Sequence, residues 1–276
     1  MPEISTNALV GVIGAGAMGS GIAQVAASNG HPVILFDTDA AAVGRALAAI
    51  RTNLQRSVEK KRISSEDSAV IVSRISTASG SMDAAALAPF AACALIIEAV
   101  VEDIGVKRQL FAALEPIISE GAILGTNTSS LSVTAIARAC RLPQRVVGIH
   151  FFNPPTVLPL VEIIPGLATG AETAATAQQL IESWGKKTVV ASDTPGFIVN
   201  RIARPFYGEA LRIYEEGIAD MPTIDWAMRE IGGFRMGPFE LMDFIGNDIN
   251  FAATKSVDEA TFHDSRFRPT LSQQRL

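Results

Sequence analysis

Cysteine is scarce in this chain: Cys93 and Cys140 are the only two in 276 residues. That excludes a disulfide framework or a zinc cluster, and no metal site is expected. It fits a reducing, cytoplasmic setting. Histidine is limited to His31, His150 and His263, so few side chains can exchange protons near neutral pH. Charged residues make up 18% of the chain and the formal net charge is −5, which disfavours nucleic acid or an anionic membrane as a partner. An anionic substrate would need a local basic patch. The stretch from Met1 to Leu9 lacks a basic region followed by a long apolar core, so no signal peptide is expected. The longest apolar run, Ala84 to Ile97, contains Pro89 and stops at Glu98. It is too short and interrupted to span a bilayer.

What the chain does have is core material, with 48% hydrophobic residues. Ala8–Ile13, Pro32–Phe36, Ala94–Ile97, Ala122–Thr126, Val146–His150, Leu160–Ile164 and Lys187–Val190 read as strands. Between them, helices are expected at Met18–Asn29, from Asp39 to about Lys61, and over Glu66–Ile75, Lys107–Ile118, Val133–Ala139 and Thr173–Trp184. The alternation predicts an α/β fold, a Rossmann-type doubly wound, mainly parallel sheet. From Phe197 onward helical periods dominate, with breaks at Gly217, Pro222, Gly232-Gly233 and Gly237-Pro238. The expected organisation is a nucleotide-binding domain over 1–192 and a smaller all-helical domain over 193–276.

The first strand runs into Gly14-Ala-Gly16-Ala17-Met18-Gly19, a G-x-G-x-x-G fingerprint in the required place between strand and helix. Gly14 permits the tight turn, Gly16 lets a pyrophosphate approach the backbone, and Gly19 allows close helix–strand packing. The N-terminus of the Met18 helix offers N–H groups and a positive dipole end to phosphates. Asp37 ends the second strand at the spacing of a ribose-binding acid, and no arginine follows it, so NAD is favoured over NADP. A loop acid that merely caps the next helix is the competing reading of Asp37.

Three segments carry polar residues at strand ends or helix starts: Asn127-Thr-Ser129-Ser130, His150-Phe-Phe-Asn153-Pro-Pro, and Pro195-Gly-Phe-Ile-Val-Asn200-Arg201. His150 ends a buried strand and suits a general base. Glu162 lies in the apolar run Leu160–Ile164, where an acid is unexpected unless it has a partner such as His150. Each residue alone also has a bland reading. Ser129 or Ser130 could cap a helix, and Asn200 could be an ordinary helix-face amide.

Together, GAGAMG, NTSSLSVT, HFFNPP with LVEII beyond it, and TPGFIVNR resemble the 3-hydroxyacyl-CoA dehydrogenase family, in the same order and over nearly the whole chain. The resemblance implies NAD as cofactor, an acyl-CoA substrate oxidised reversibly at its 3-hydroxyl, and a homodimer formed through the helical domain. It implies a catalytic dyad of His150 and Glu162, with Ser129 and Asn200 at the substrate oxygen. It also implies NAD contacts at Glu102, Lys107 and Ser129, and coenzyme A contacts at Asn53, Lys60 and Asn153. For the neighbouring Arg51, Arg56 and Arg62 an exposed charged helix face is the plainer reading.

The chain departs from the family pattern at Pro155, which stands beside Pro154 and is expected to reshape that loop. Family members continue past GPFELMDFIG to a Gly/Lys-rich segment, whereas this sequence stops at Leu276. The helical domain is therefore expected to be incomplete. The segments RPFYGEALR and FRMGPFELMDFIGNDINFA resemble longer bacterial members of phenylacetate-type catabolism, which act on 3-hydroxyadipyl-CoA. Short-chain 3-hydroxybutyryl-CoA stays open. Two further readings compete: a non-catalytic NAD-binding relative, and a β-hydroxyacid dehydrogenase acting on free acids. The second normally relies on a lysine in the helical domain, and none lies between Lys187 and Lys255.

Overall fold

The computed structural model describes residues 4–276. The chain divides into two compact units, Met1–Asp193 and Thr194–Leu276.

The first unit is built on β1 (Val10–Ile13), β2 (Val33–Asp37), β3 (Ile75–Ser79), β4 (Leu95–Glu98), β5 (Ile123–Thr126), β6 (Val146–Phe151), β7 (Leu160–Pro165) and β8 (Lys187–Val190). They form one sheet in the order β3-β2-β1-β4-β5-β6-β7-β8. The chain winds outward from β1 through β2 to β3, then returns to place β4 on the other side of β1. That reversal opens a crevice at the carboxyl ends of β1 and β4. Every pairing is parallel except β6 with β7. The central strands are Val-, Ile- and Leu-rich because helices cover both faces, and Val10, Val12, Leu35, Ile97 and Ile149 form the core.

The covering helices are α1 (Ala17–Ser28), α2 (Ala40–Glu59), α3 (Ser65–Ser73), α4 (Ala84–Leu87), α5 (Ile104–Leu114), α6 (Val133–Ala137) and α7 (Ala171–Ser183). Most begin at an oxygen-bearing cap. Asp39 accepts from Ala41 N, Ser64 forms a capping box with Asp67, and Asp103 accepts from Val106 N. The Asp103 cap starts α5 at Ile104, one turn before the expected Lys107. The helix expected through Ile75 ends at Ser73, and Ile75 instead opens β3. This strand escapes the sequence pattern because its residues, ISTAS, lie on the sheet edge and are mostly exposed.

The second unit contains α8 (Val199–Glu215), α9 (Met221–Glu230), α10 (Pro238–Ile245), α11 (Asn247–Ala260) and α12 (Leu271–Arg275). Tyr207, Leu211, Ile224, Phe239 and Met242 form its core. Pro222, expected as a break, lies in the first turn of α9 after the Asp220 cap, where its missing N–H costs nothing. Pro205 sits inside α8. Among the described residues no helix is long and apolar enough to cross a membrane.

Candidate active site

The glycine turn links β1 to α1. Gly14 has φ +105, and a Cβ there would stand 2.4 Å from the Ala99 carbonyl oxygen, so its bareness lets the β1 and β4 ends converge. A Cβ on Gly19 would stand 1.7 Å from the Gly14 carbonyl oxygen, so α1 packs on the turn only through a bare α-carbon. Gly16 differs: a Cβ there would meet nothing within 4 Å. Its missing side chain clears space in front of the α1 N-terminus, which carries no side-chain cap. Beside it lies a cavity of about 280 Å³ lined by Gly14, Gly16, Asp37, Thr38, Met82 and Val101. One Asp37 oxygen accepts from Ala15 N at 2.7 Å and the other from Asp39 N at 3.0 Å, which fixes the carboxylate at the cavity wall. Uncapped N–H groups, open space and a fixed acid fit a dinucleotide at this edge.

At the next strand ends a network of acids organises the loop after β5. Glu98, wholly buried, accepts from Val100 N at 2.8 Å, from Lys107 Nζ at 2.6 Å and from Thr126 Oγ1 at 2.7 Å. Lys107 is 1% exposed and also reaches Glu102 at 3.2 Å. Glu102 Oε1 accepts from Thr128 Oγ1 at 2.7 Å, from Ser129 N at 2.9 Å and from Ser130 N at 3.1 Å. The Ser129 hydroxyl lies 3.2 Å from the same oxygen. Burial alone would raise the Glu102 pKa, but the Lys107 charge and the Thr128 and Ser129 hydrogen bonds outweigh it. Glu102 therefore titrates below the usual carboxylate range.

The β6–β7 register sets His150 directly opposite Glu162, which brings their side chains together on one face. His150 Nδ1 lies 2.7 Å from Glu162 Oε2, with the two residues 5% and 0% exposed. The Nδ1–H donates to the carboxylate, so the lone pair of the neutral ring resides on Nε2. The Phe152 ring packs 4.6 Å from the imidazole centroid. Asn127 Oδ1 accepts from Phe151 N at 2.8 Å and ties the β5 loop to the end of β6.

The first unit thus joins Gly14, Gly16, Ala17, Met18, Gly19 and Asp37 at one turn, Ser129 with Glu102 and Lys107, and His150 with Glu162. Asn153 is exposed and begins the cis bond to Pro154. Pro155 lies on α1: a Cβ on Gly21 would come 2.8 Å from Pro155 Cδ. Asn53 and Lys60 are exposed, the first on α2 and the second capping it. Asn200 is the second residue of α8, in the other unit. Sequence reasoning missed the roles of Glu98 and Asp193. Asp193 accepts from Ser132 Oγ, Val133 N and Thr134 N at 2.8–2.9 Å and so caps α6. Glu98 carried a signal like that of Glu162, an acid beside apolar residues, though at the end of its run rather than within it. His31 and His263 lie elsewhere, the first on the Ala8 carbonyl and the second on Asp258.

Residues 9–194 match the family described as 3-hydroxyacyl-CoA dehydrogenase, NAD binding domain, and residues 196–276 match its C-terminal domain. The chain is 48% identical over 267 residues to the 3-hydroxyadipyl-CoA dehydrogenase of Escherichia coli, covering 97% of this chain and 55% of that one. It is 41% identical to the 3-hydroxybutyryl-CoA dehydrogenase of Bradyrhizobium diazoefficiens, covering 94% of this chain and 86% of that one. A crystal structure described as 3-hydroxybutyryl-CoA dehydrogenase from Escherichia coli superposes with TM-score 0.93 at 45% identity, covering 99% of this chain and 56% of that chain. The chain therefore spans about half the length of the two Escherichia coli proteins it matches.

Proposed function

The chain belongs to the 3-hydroxyacyl-CoA dehydrogenase family and carries its NAD-binding domain, and we propose that it reversibly oxidises the 3-hydroxyl of an acyl-CoA thioester. The observation that carries this reading is the buried His150–Glu162 pair at 2.7 Å. In the oxidising direction His150 Nε2 takes the hydroxyl proton. Glu162 holds the ring by Nδ1 and stabilises the imidazolium that forms. Ser129 and Asn200 position the substrate oxygen, and Glu102 fixes Ser129 through its N–H and hydroxyl. NAD, when bound, supplies the acceptor for the hydride that leaves C3. Gly16 and the α1 N-terminus hold the pyrophosphate, Asp37 holds the adenosine ribose, and Glu102 and Lys107 face the cofactor. Asn53, Lys60 and Asn153 are assigned to the coenzyme A portion.

The physiological form is a cytoplasmic homodimer in this reading. Two free cysteines support the reducing compartment. Exposed apolar side chains on the helical unit, Ile202, Trp226, Ile231 and Phe244 among them, support the self-association.

The test is NADH oxidation with acetoacetyl-CoA. Turnover is expected, and His150→Ala should lower kcat by about 10²–10⁴-fold while NAD still binds. Silence from a folded, NAD-binding wild type would overturn the reading, and undiminished turnover by the variant would overturn the base.

A further inference from the structure

Glu98 ends β4 and is wholly buried, yet the chemistry assigned above leaves it without a task. Its side chain accepts three hydrogen bonds. Val100 N and Lys107 Nζ donate to one oxygen, and Thr126 Oγ1 donates to the other. An acid that only accepts is a carboxylate. Glu102 accepts from Thr128, Ser129 and Ser130 in the same sense. Lys107 lies between the two acids, 2.6 Å from Glu98 and 3.2 Å from Glu102, and is the one cation within 4.0 Å of either among the described residues. Two carboxylates thus share one ammonium, and the cluster carries a surplus negative charge.

Anchoring the loop does not require that charge. Val100 N needs only an oxygen and Thr126 Oγ1 only a polar neighbour, which a glutamine supplies, and Lys107 already has Glu102. A second buried carboxylate is costly out of water unless something positive faces it. The nicotinamide ring is such a group, a cation when oxidised and neutral when reduced. Ser129 Oγ, assigned above to the substrate oxygen, stands 3.2 Å from Glu102. The carbon bearing that oxygen gives up the hydride, so the ring that receives it comes within about 10 Å of Glu102. At an effective dielectric of about 20, a unit charge about 10 Å away changes a binding constant roughly tenfold.

We propose that Glu98 supplies the surplus negative charge at the nicotinamide end of the site and so shifts the cofactor preference of the chain towards NAD⁺ and away from NADH. This rests on the dehydrogenase reading above. Glu98 touches neither cofactor nor substrate. It is a positioning residue that acts through Lys107, whose charge it shares with Glu102. Its effect favours loading of the oxidised cofactor and departure of the reduced one, the order that oxidation of a 3-hydroxyl follows.

The test is calorimetric titration of NAD⁺ and of NADH into the wild type, Glu98→Gln and Lys107→Gln. The readout is the ratio of the NADH Kd to the NAD⁺ Kd, in which the pyrophosphate and both riboses cancel. Glu98→Gln keeps the shape of the acid and an oxygen for Val100 N and Lys107 but removes the charge, so the ratio should fall about tenfold. Lys107→Gln removes the cation and leaves both acids, so the ratio should rise by a similar factor. A merely structural role would weaken both nucleotides alike and leave the ratio where it was. An unchanged ratio in Glu98→Gln, or shifts of the same sign in the two variants, would overturn the proposal. Should one variant fail to fold, the sign shown by the other decides. Silence towards acetoacetyl-CoA from a wild type whose variants show the opposed shifts would sink the dehydrogenase reading and leave the cofactor preference standing.

Discussion

The three histidines are sorted by their Nδ1 partners. His150 bonds Glu162 and His263 bonds Asp258, whereas His31 bonds only the Ala8 carbonyl, at 2.9 Å. His31 is fully buried against the edge of Trp184, and its Nε2 is enclosed without a partner. Burial pulls its pKa below the ordinary imidazole value, and the Ala8 bond offsets only part of that. The sign follows from proton counting. Below about pH 6.5 the unfolded chain binds a proton at this residue that the folded chain refuses. Stability from this site is therefore constant above that pH and declines as pH falls towards the depressed folded value. His31→Phe, which keeps a ring against Trp184, should flatten the fall in Tm between pH 7 and pH 5. Parallel Tm profiles for variant and wild type would show that His31 is not a source of the acid sensitivity. Buried Lys107 shows the opposite arrangement, with its ammonium paired to Glu98 at 2.6 Å and to Glu102 at 3.2 Å.

Among elements, the β1–α1 turn separates two uses of glycine that look alike in the motif. Ala at Gly19 forces a Cβ to 1.7 Å from a backbone oxygen, whereas Ala at Gly16 meets no protein atom. Gly16→Ala should leave stability within about 1 kcal/mol and weaken NAD at least about tenfold. Gly19→Ala should cost about 2 kcal/mol or more of stability. Thermal denaturation beside NAD titration reads both, and equal effects of the two changes would contradict the geometry. The turn was legible because glycine spacing is itself the signal, and the strands beside it because they are buried on both faces. The edge strand β3 was not, since ISTAS has no apolar run. The His150–Glu162 contact could be anticipated from an acid in an apolar segment. The antiparallel β6–β7 register that delivers it is a long-range pairing with no local mark. The Glu98–Lys107–Glu102 chain was missed for a related reason. Sequence spacing shows that an acid is buried, but not which cation, arriving from the next helix, neutralises it.

For the whole molecule, the two units differ in what they leave uncovered. The sheet unit buries its central strands under helices on both faces, as a domain of its size can. The helical unit is smaller, encloses only a small core, and leaves large apolar side chains in water: Ile202 is 69% exposed, Ile231 78% and Phe244 73%. Apolar surface of this kind on a small unit is normally covered, and a second copy of the chain is the proposed cover. A self-complementary interface of this type loses affinity twice for every substitution, because each change enters from both sides of the two-fold axis. Light scattering on the wild type at tens of micromolar should therefore give twice the mass of the chain. The double change Ile231→Asp with Phe244→Asp should give one mass, with a Tm that no longer depends on protein concentration. Monomeric wild type at that concentration would mean that the exposed residues meet something other than a second copy. A dimer untouched by the double change would mean that the interface lies on another face.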